Sequence, residues 1–145
     1  MIQNKYMAIA LKEAIKAYKI NEIPVGAVIV QNDKVIAKAY NKKELKKDVT
    51  AHAEIIAIKK AEKKLSNWRL DNCTIYSTLE PCPMCMQVIK EARIKNIYFG
   101  AHTTKLNIKD INFNEKINVV GGIEEEKCLS LIQDFFKKLR NDWYL

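Results

Sequence analysis

Thr74-Ile75-Tyr76-Ser77-Thr78-Leu79-Glu80-Pro81-Cys82-Pro83-Met84-Cys85 is the stretch on which the fold turns. Residues 74–79 are β-branched, aromatic and apolar, which reads as a largely buried strand. Past Glu80 the grammar changes. Pro83 suits the first position of a helix, where its missing N–H costs nothing, so a helix starts at Cys82 and runs to about Ala92. Asn96-Ile97-Tyr98-Phe99-Gly100 then reads as the next strand. Strands separated by a helix require a crossover connection, the mark of neighbouring parallel strands.

The same alternation extends in both directions. Upstream, Met7, Ala10, Leu11, Ala14, Ala17 and Tyr18 keep helical spacing, while Lys12, Glu13, Lys16 and Lys19 fill the opposite face, so residues 3–19 form an amphipathic helix. Gly26 to Val30 and Val35 to Tyr40 are two strands joined by turn residues Gln31 to Lys34. A lysine-rich loop follows from Asn41 to Val49, and Thr50 caps a helix from Ala51 to about Leu65. Downstream, residues 102–116 are polar and irregular, Ile117 to Val120 are a short fifth strand, and Glu124 to about Arg140 close the chain as a helix. Cys128, Leu131, Ile132, Phe135 and Leu139 form that helix's apolar face. The order α-β-β-α-β-α-β-β-α predicts a three-layer α/β/α fold around a mixed five-stranded sheet, with residues 1–145 as one domain.

Composition narrows the class. The chain has 145 residues, 48% of them hydrophobic, with no apolar run of membrane-spanning length and no secretory leader at Met1-Ile2-Gln3-Asn4-Lys5, which predicts a cytoplasmic protein without a membrane partner. Cys73, Cys82, Cys85 and Cys128 are therefore read as metal ligands or buried small apolar groups rather than disulfides. The net charge of +8 favours an anionic partner such as RNA, although a lysine-rich surface also serves solubility.

Chemistry concentrates at His52-Ala53-Glu54 and Pro81-Cys82-Pro83-Met84-Cys85, each at a helix start. Residues three apart in a first helical turn direct their side chains to one point, and a helix N-terminus favours thiolate. His52, Cys82 and Cys85 thus make three ligands for Zn2+, leaving one tetrahedral position for a water whose pKa falls to about 7. Glu54, two residues past His52, is placed to shuttle protons without binding the metal. Taken alone, C-x-x-C also fits a redox pair or half of a structural zinc site, and H-x-E alone occurs by chance. A closed structural site would recruit Cys73 or His102 and leave Glu54 without a task. Cys73 and Cys128 read as buried apolar groups and His102 as a surface residue.

The paired signature resembles that of zinc-dependent nucleobase deaminases. Over nearly the whole chain the sequence is similar to the bacterial-type tRNA-specific adenosine deaminases of the cytidine deaminase superfamily. The matching stretches are Ile23 to Val30, Ala39-Tyr40-Asn41, Thr50 to Ile55, Tyr76 to Cys85, Tyr98 to Ala101 and Asp134-Phe135-Phe136. The resemblance implies a cytidine-deaminase-like fold, a homodimer with one Zn2+ per subunit, and hydrolytic conversion of the wobble adenosine of an arginine tRNA to inosine. Attack on C6 would come from a zinc-activated hydroxide, with Glu54 as proton shuttle. It implies that Asn41 hydrogen-bonds the target base, a residue that also reads as a plain turn position, and that Ala53, Val25 and Leu79 line the pocket. The anticodon loop would meet Lys42, Lys43, Lys46 and Lys47 before the metal helix, Lys105, and Lys137, Lys138 and Arg140 on the closing helix; these equally suit a solvated face.

One segment departs from the family pattern. After Phe99-Gly100-Ala101 the family continues with an Asp and a Lys-x-Gly-Ala-type loop, whereas this chain has His102-Thr103-Thr104-Lys105-Leu106-Asn107. A relaxed nucleic-acid preference is one consequence to weigh. A free nucleobase or nucleoside deaminase of guanine or cytosine type, and a zinc-stabilised binding module, are the competing functions.

Overall fold

A computed structural model of the protein describes residues 2–103 and 117–143. The elements run α1 (Ile2–Lys19), β1 (Gly26–Gln31), β2 (Lys34–Tyr40), α2 (Lys43–Lys46), α3 (Ala53–Leu65), β3 (Cys73–Leu79), α4 (Pro83–Glu91), β4 (Asn96–Ala101), β5 (Asn118–Val120) and α5 (Glu125–Trp143). The strands form a five-stranded sheet in the order β2-β1-β3-β4-β5 among the described residues. β1 pairs antiparallel with both β2 and β3, while β3–β4 and β4–β5 are parallel, so the sheet is mixed as expected. None of the described helices is long and apolar enough to cross a membrane.

Helices cover both faces. On one side α3 and α4 bury Ala53, Ala57, Ala61, Met86 and Ile89 against Ala27, Ile29, Ile75 and Ile97. On the other, Tyr6, Met7 and Ala10 of α1 and Cys128 of α5 pack on Val28, Val30 and Tyr76. Each large apolar side chain buried fully in this way contributes about 1.5–3 kcal/mol. Small residues let the layers close in. A Cβ on Gly26 would stand 2.0 Å from the Ala10 carbonyl oxygen, so glycine is required where α1 crosses the start of β1. The β1–β2 turn uses Asn32 and Asp33 at φ 50° and 61°, the left-handed pair of a tight hairpin.

Two expectations are corrected. The loop from Asn41 to Val49 contains α2, whose first N–H groups have no cap from Lys42. The carboxylate of Glu22 supplies it instead, accepting from Glu44 N at 3.0 Å and Leu45 N at 2.8 Å. The helix after it begins at Ala53 with His52 as N-cap, not at Ala51 under Thr50. The Thr50 hydroxyl is occupied, donating to Asp48 Oδ1 at 2.7 Å. Elsewhere the predicted boundaries shift by a residue or a few.

Candidate metal centre

α3 and α4 start side by side at one end of the sheet, where β3 finishes. His52 is the N-cap of α3 and Cys82 the N-cap of α4, both with extended backbone and neither using its side chain to cap its own helix. Pro83 occupies the start of α4 as the sequence predicts. The side chains are thereby free to converge. His52 Nδ1 lies 3.4 Å from Cys85 Sγ and 3.7 Å from Cys82 Sγ. All three ligand atoms fall within 4.8 Å of one another. Ordinary zinc–sulfur and zinc–nitrogen bonds at a tetrahedral angle place N and S about 3.6 Å apart, so this donor set fits zinc without rearrangement.

The electrostatics fit the same ion. The hydrogen bond from Cys85 pulls the Cys82 thiol down to about 4, and His52 adds to the effect. The same bond and burial hold the Cys85 proton firmly in place. The two sulfurs therefore share a proton that a cation would displace. His52 is raised, chiefly by its hydrogen bond to Cys82.

Glu54 stands beside this group with 4% of its surface exposed. Burial pushes its carboxyl above the ordinary range. Its Oε1 has no hydrogen-bond partner among the described residues. An unsatisfied buried carboxyl oxygen is costly, which marks it as a group awaiting a ligand or a proton.

A pocket of about 180 Å³ opens over the metal ligands, lined by Ile23, Val25, Asn41, Lys43, His52, Ala53, Glu54, Leu79, Glu80 and Cys82. Drug-sized ligands occupy about 300 Å³ or more, so this space suits one planar heterocycle. Val25, Asn41, Ala53 and Leu79 are thus brought together as the sequence predicts. Asn41 is already engaged: Oδ1 accepts from Lys43 N at 3.2 Å and Nδ2 donates to Ile23 O at 3.3 Å. One Nδ2 hydrogen and one Oδ1 lone pair remain for a base.

Ile23 and Glu80 line the pocket without having been singled out. Both lie inside the matching stretches, and a carboxylate directly before Pro81-Cys82 was the available signal. Glu80 accepts the Thr103 N–H at 2.9 Å, tying the departing end of β4 to the pocket.

The other expected positions separate. Lys43 is at the rim, and Lys42 lies over the Tyr40 ring at 4.8 Å. Lys46 and Lys47 are exposed away from this pocket. Lys137, Lys138 and Arg140 are exposed on α5, with Lys138 over Tyr18 at 5.3 Å. Lys105 lies outside the described residues. Leu139, placed on the apolar face of α5, is exposed beside Phe136, whereas Cys128 and Phe135 are buried. No fourth protein ligand joins the group among the described residues. Cys73 is buried in the core on the α3–α4 side, and His102 Nδ1 contacts Glu125 Oε1 at 2.7 Å, which removes both candidates for a closed site.

Comparison with known proteins gives a consistent result. Residues 1–140 match the family model described as MafB19-like deaminase. The tRNA-specific adenosine deaminase of Bacillus subtilis (strain 168) is 41% identical over 143 residues, covering 93% of this chain and 89% of its own. A solved structure from studies of A-to-I editing by tRNA:A34 deaminases at the wobble position of transfer RNA superposes with a TM-score of 0.83. It is 36% identical and covers 88% of this chain and 98% of the other. Guanine deaminase from Bacillus subtilis superposes with a TM-score of 0.66 at 39% identity, covering 69% of this chain and 64% of the other.

Proposed function

The chain belongs to the MafB19-like deaminase family and to the tRNA-specific adenosine deaminases, and on that premise we propose that it converts the wobble adenosine of a tRNA, an arginine tRNA in our reading, to inosine. The reaction adds water at C6 of adenine, forms the C6 carbonyl and releases the amine as ammonia. The observation that carries this reading is the unpartnered, buried Glu54 Oε1 beside the His52, Cys82 and Cys85 donors in a base-sized pocket.

His52, Cys82 and Cys85 would hold one zinc ion, which when bound supplies Lewis acidity and activates water at neutral pH. Glu54 does the proton work. Its raised pKa makes it a better base than an exposed carboxylate, able to take one proton from the attacking water and give it to the ring nitrogen, then take the second from the added hydroxyl as the C6 carbonyl forms and give it to the departing amine. Asn41 orients the base through its remaining amide hydrogen and lone pair. Val25 and Leu79 supply apolar walls, and the Ala53 backbone closes the side next to His52. Enclosure excludes bulk water and strengthens each polar contact.

A pocket of this size admits a base and not a duplex, so the target nucleotide must leave its stack, at a cost of a few kcal/mol. Lys43 at the rim offsets phosphate charge as the base enters, with Lys42, Lys46, Lys47, Lys105 and the α5 cations as further contacts. We read the chain as one domain acting as a cytoplasmic homodimer. The apolar groove of about 320 Å³ between α3 and α4, lined by Ile55, Ile58, Met84 and Val88 among others, supports a second copy there.

A free-base deaminase is the second reading, favoured by the likeness to guanine deaminase. Ammonia release separates the two. Turnover of an anticodon stem-loop with a wobble adenosine is expected; turnover of free guanine or cytosine alone would replace the tRNA reading.

A further inference from the structure

A second concave surface lies along the exposed side of α3. It encloses about 240 Å³ between α3 and the segment after α2, with Lys46, Lys59, Lys60 and Lys63 around it and Asp48 as its one carboxylate. That carboxylate is already engaged by the backbone N–H of Thr50 at 2.8 Å and its hydroxyl at 2.7 Å. None of the four lysines is in a salt bridge among the described residues. Lys59 and Lys63 are one helical turn apart, a spacing at which like charges disfavour the helix; Asp48 and Glu62 offset Lys59 in part, and neither forms an ion pair with it among the described residues.

Lys60 shows that this is more than a solvated face. Its Nζ donates to the Lys38 carbonyl at 3.0 Å, which holds the ammonium against the edge strand. Burial lowers its pKa, and Lys42, Lys46 and Lys16 lower it further, with Glu13 opposing. Several cations thus crowd a partly enclosed space. The floor is apolar, from Ile55 and Ile56, so charge there is less well screened than on an open surface.

The position is informative. Thr50 and Ala51 line this groove and lead directly to His52, a metal ligand. Lys46 ends α2, whose first residue Lys43 lines the reacting pocket. A strand with one base in the pocket therefore has a cationic channel beside it.

We propose that the groove bounded by Lys46, Lys59, Lys60 and Lys63 binds the phosphodiester backbone of the tRNA next to the target nucleotide. The inference rests on the tRNA reading above. Such contacts set register without reading sequence. Lys59, Lys60 and Lys63 carry no signal in the motif stretches; only the fold gathers them beside Lys46.

The test uses the zinc-loaded full chain and a labelled anticodon stem-loop, with binding read by fluorescence anisotropy between about 50 and 200 mM salt, the range over which phosphate contacts separate. Lys46→Gln with Lys63→Gln removes two groove charges, both outside the α3–α4 groove read as the seat of a second copy. Lys12→Gln with Lys95→Gln removes two exposed charges elsewhere. The groove pair is expected to weaken binding roughly tenfold at low salt and to lower the slope of log K against log[salt] by about 1.4, the value for two single-strand phosphate contacts. The control pair should keep the wild-type slope. Equal slopes for the groove pair and the wild type, or equal losses in both pairs, overturn the proposal, as does a wild type without RNA affinity. Inosine formation is measured separately, so a wild type that binds RNA without turnover contradicts the functional reading and still reports on the groove.

Discussion

Glu22 Oε2 accepts the Leu45 N–H at 2.8 Å across 23 residues of sequence, while its Oε1 takes the neighbouring Glu44 N–H. Glu22 is only 1% exposed. This carboxylate therefore caps α2 from outside, pinning the lip that carries Lys43 over the pocket. Hydrogen bonds to a charged group are worth about 1.5–3 kcal/mol, and losing the acceptor takes the cap from two N–H groups in the first turn of α2. Glu22→Ala should destabilise the protein by about 2–4 kcal/mol in urea unfolding and raise KM for the stem-loop. An unchanged midpoint would show that α2 holds itself.

The donor set makes a compositional prediction. The purified protein should carry one zinc per chain by elemental analysis. His52→Ala, Cys82→Ala and Cys85→Ala should each lose it, whereas Cys73→Ala should keep it, because Cys73 lies in the core away from the ligands. Zinc retained without Cys82 would point to a different ligand set.

Packing at Gly26 is tight enough to predict. A methyl there would meet the Ala10 carbonyl at 2.0 Å and the Ala14 nitrogen at 2.6 Å, both backbone atoms of α1. Gly26→Ala should cost about 1–3 kcal/mol or more, since α1 must shift as a body. The thermal midpoint checks this, and a midpoint equal to wild type would be inconsistent with the close α1–β1 approach.

Alkaline stability follows from Tyr76. Burial pushes its hydroxyl from 10.0 up to about 12. Its folded pKa lies above the unfolded one, so the unfolded chain releases the proton first. Stability is full below the unfolded value and declines as pH rises from about 10 to about 12. Cys128, also raised to about 12 by burial, adds to the same limb from about 9 upward. Tyr76→Phe should flatten the decline above pH 10 in urea unfolding, and an identical slope would assign the alkaline limb elsewhere.

Much of this was legible locally. Pro83 after Cys82 marks a helix start, alternating apolar runs mark strands, and His52 and Cys82 fall at helix N-termini as read. What escaped depends on distant partners. α2 has no cap of its own and exists through Glu22. Thr50 looks like a cap until Asp48 takes its hydroxyl. Glu80 becomes a pocket residue through the Thr103 N–H it holds at the end of β4. The lysine groove needs α2 and α3 packed together before it exists. The gathering of His52, Cys82 and Cys85 was local information, whereas its surroundings were not.

The central claim is that Glu54, beside His52, Cys82 and Cys85 and with its Oε1 without a partner among the described residues, moves the protons of a deamination. The most direct measurement is inosine formation from an anticodon stem-loop by the zinc-loaded wild type and by Glu54→Gln. The wild type should form inosine and ammonia; the variant should keep zinc and RNA binding and lose about 10²–10⁴-fold in rate. A variant as active as wild type, with zinc bound in both, would contradict the account.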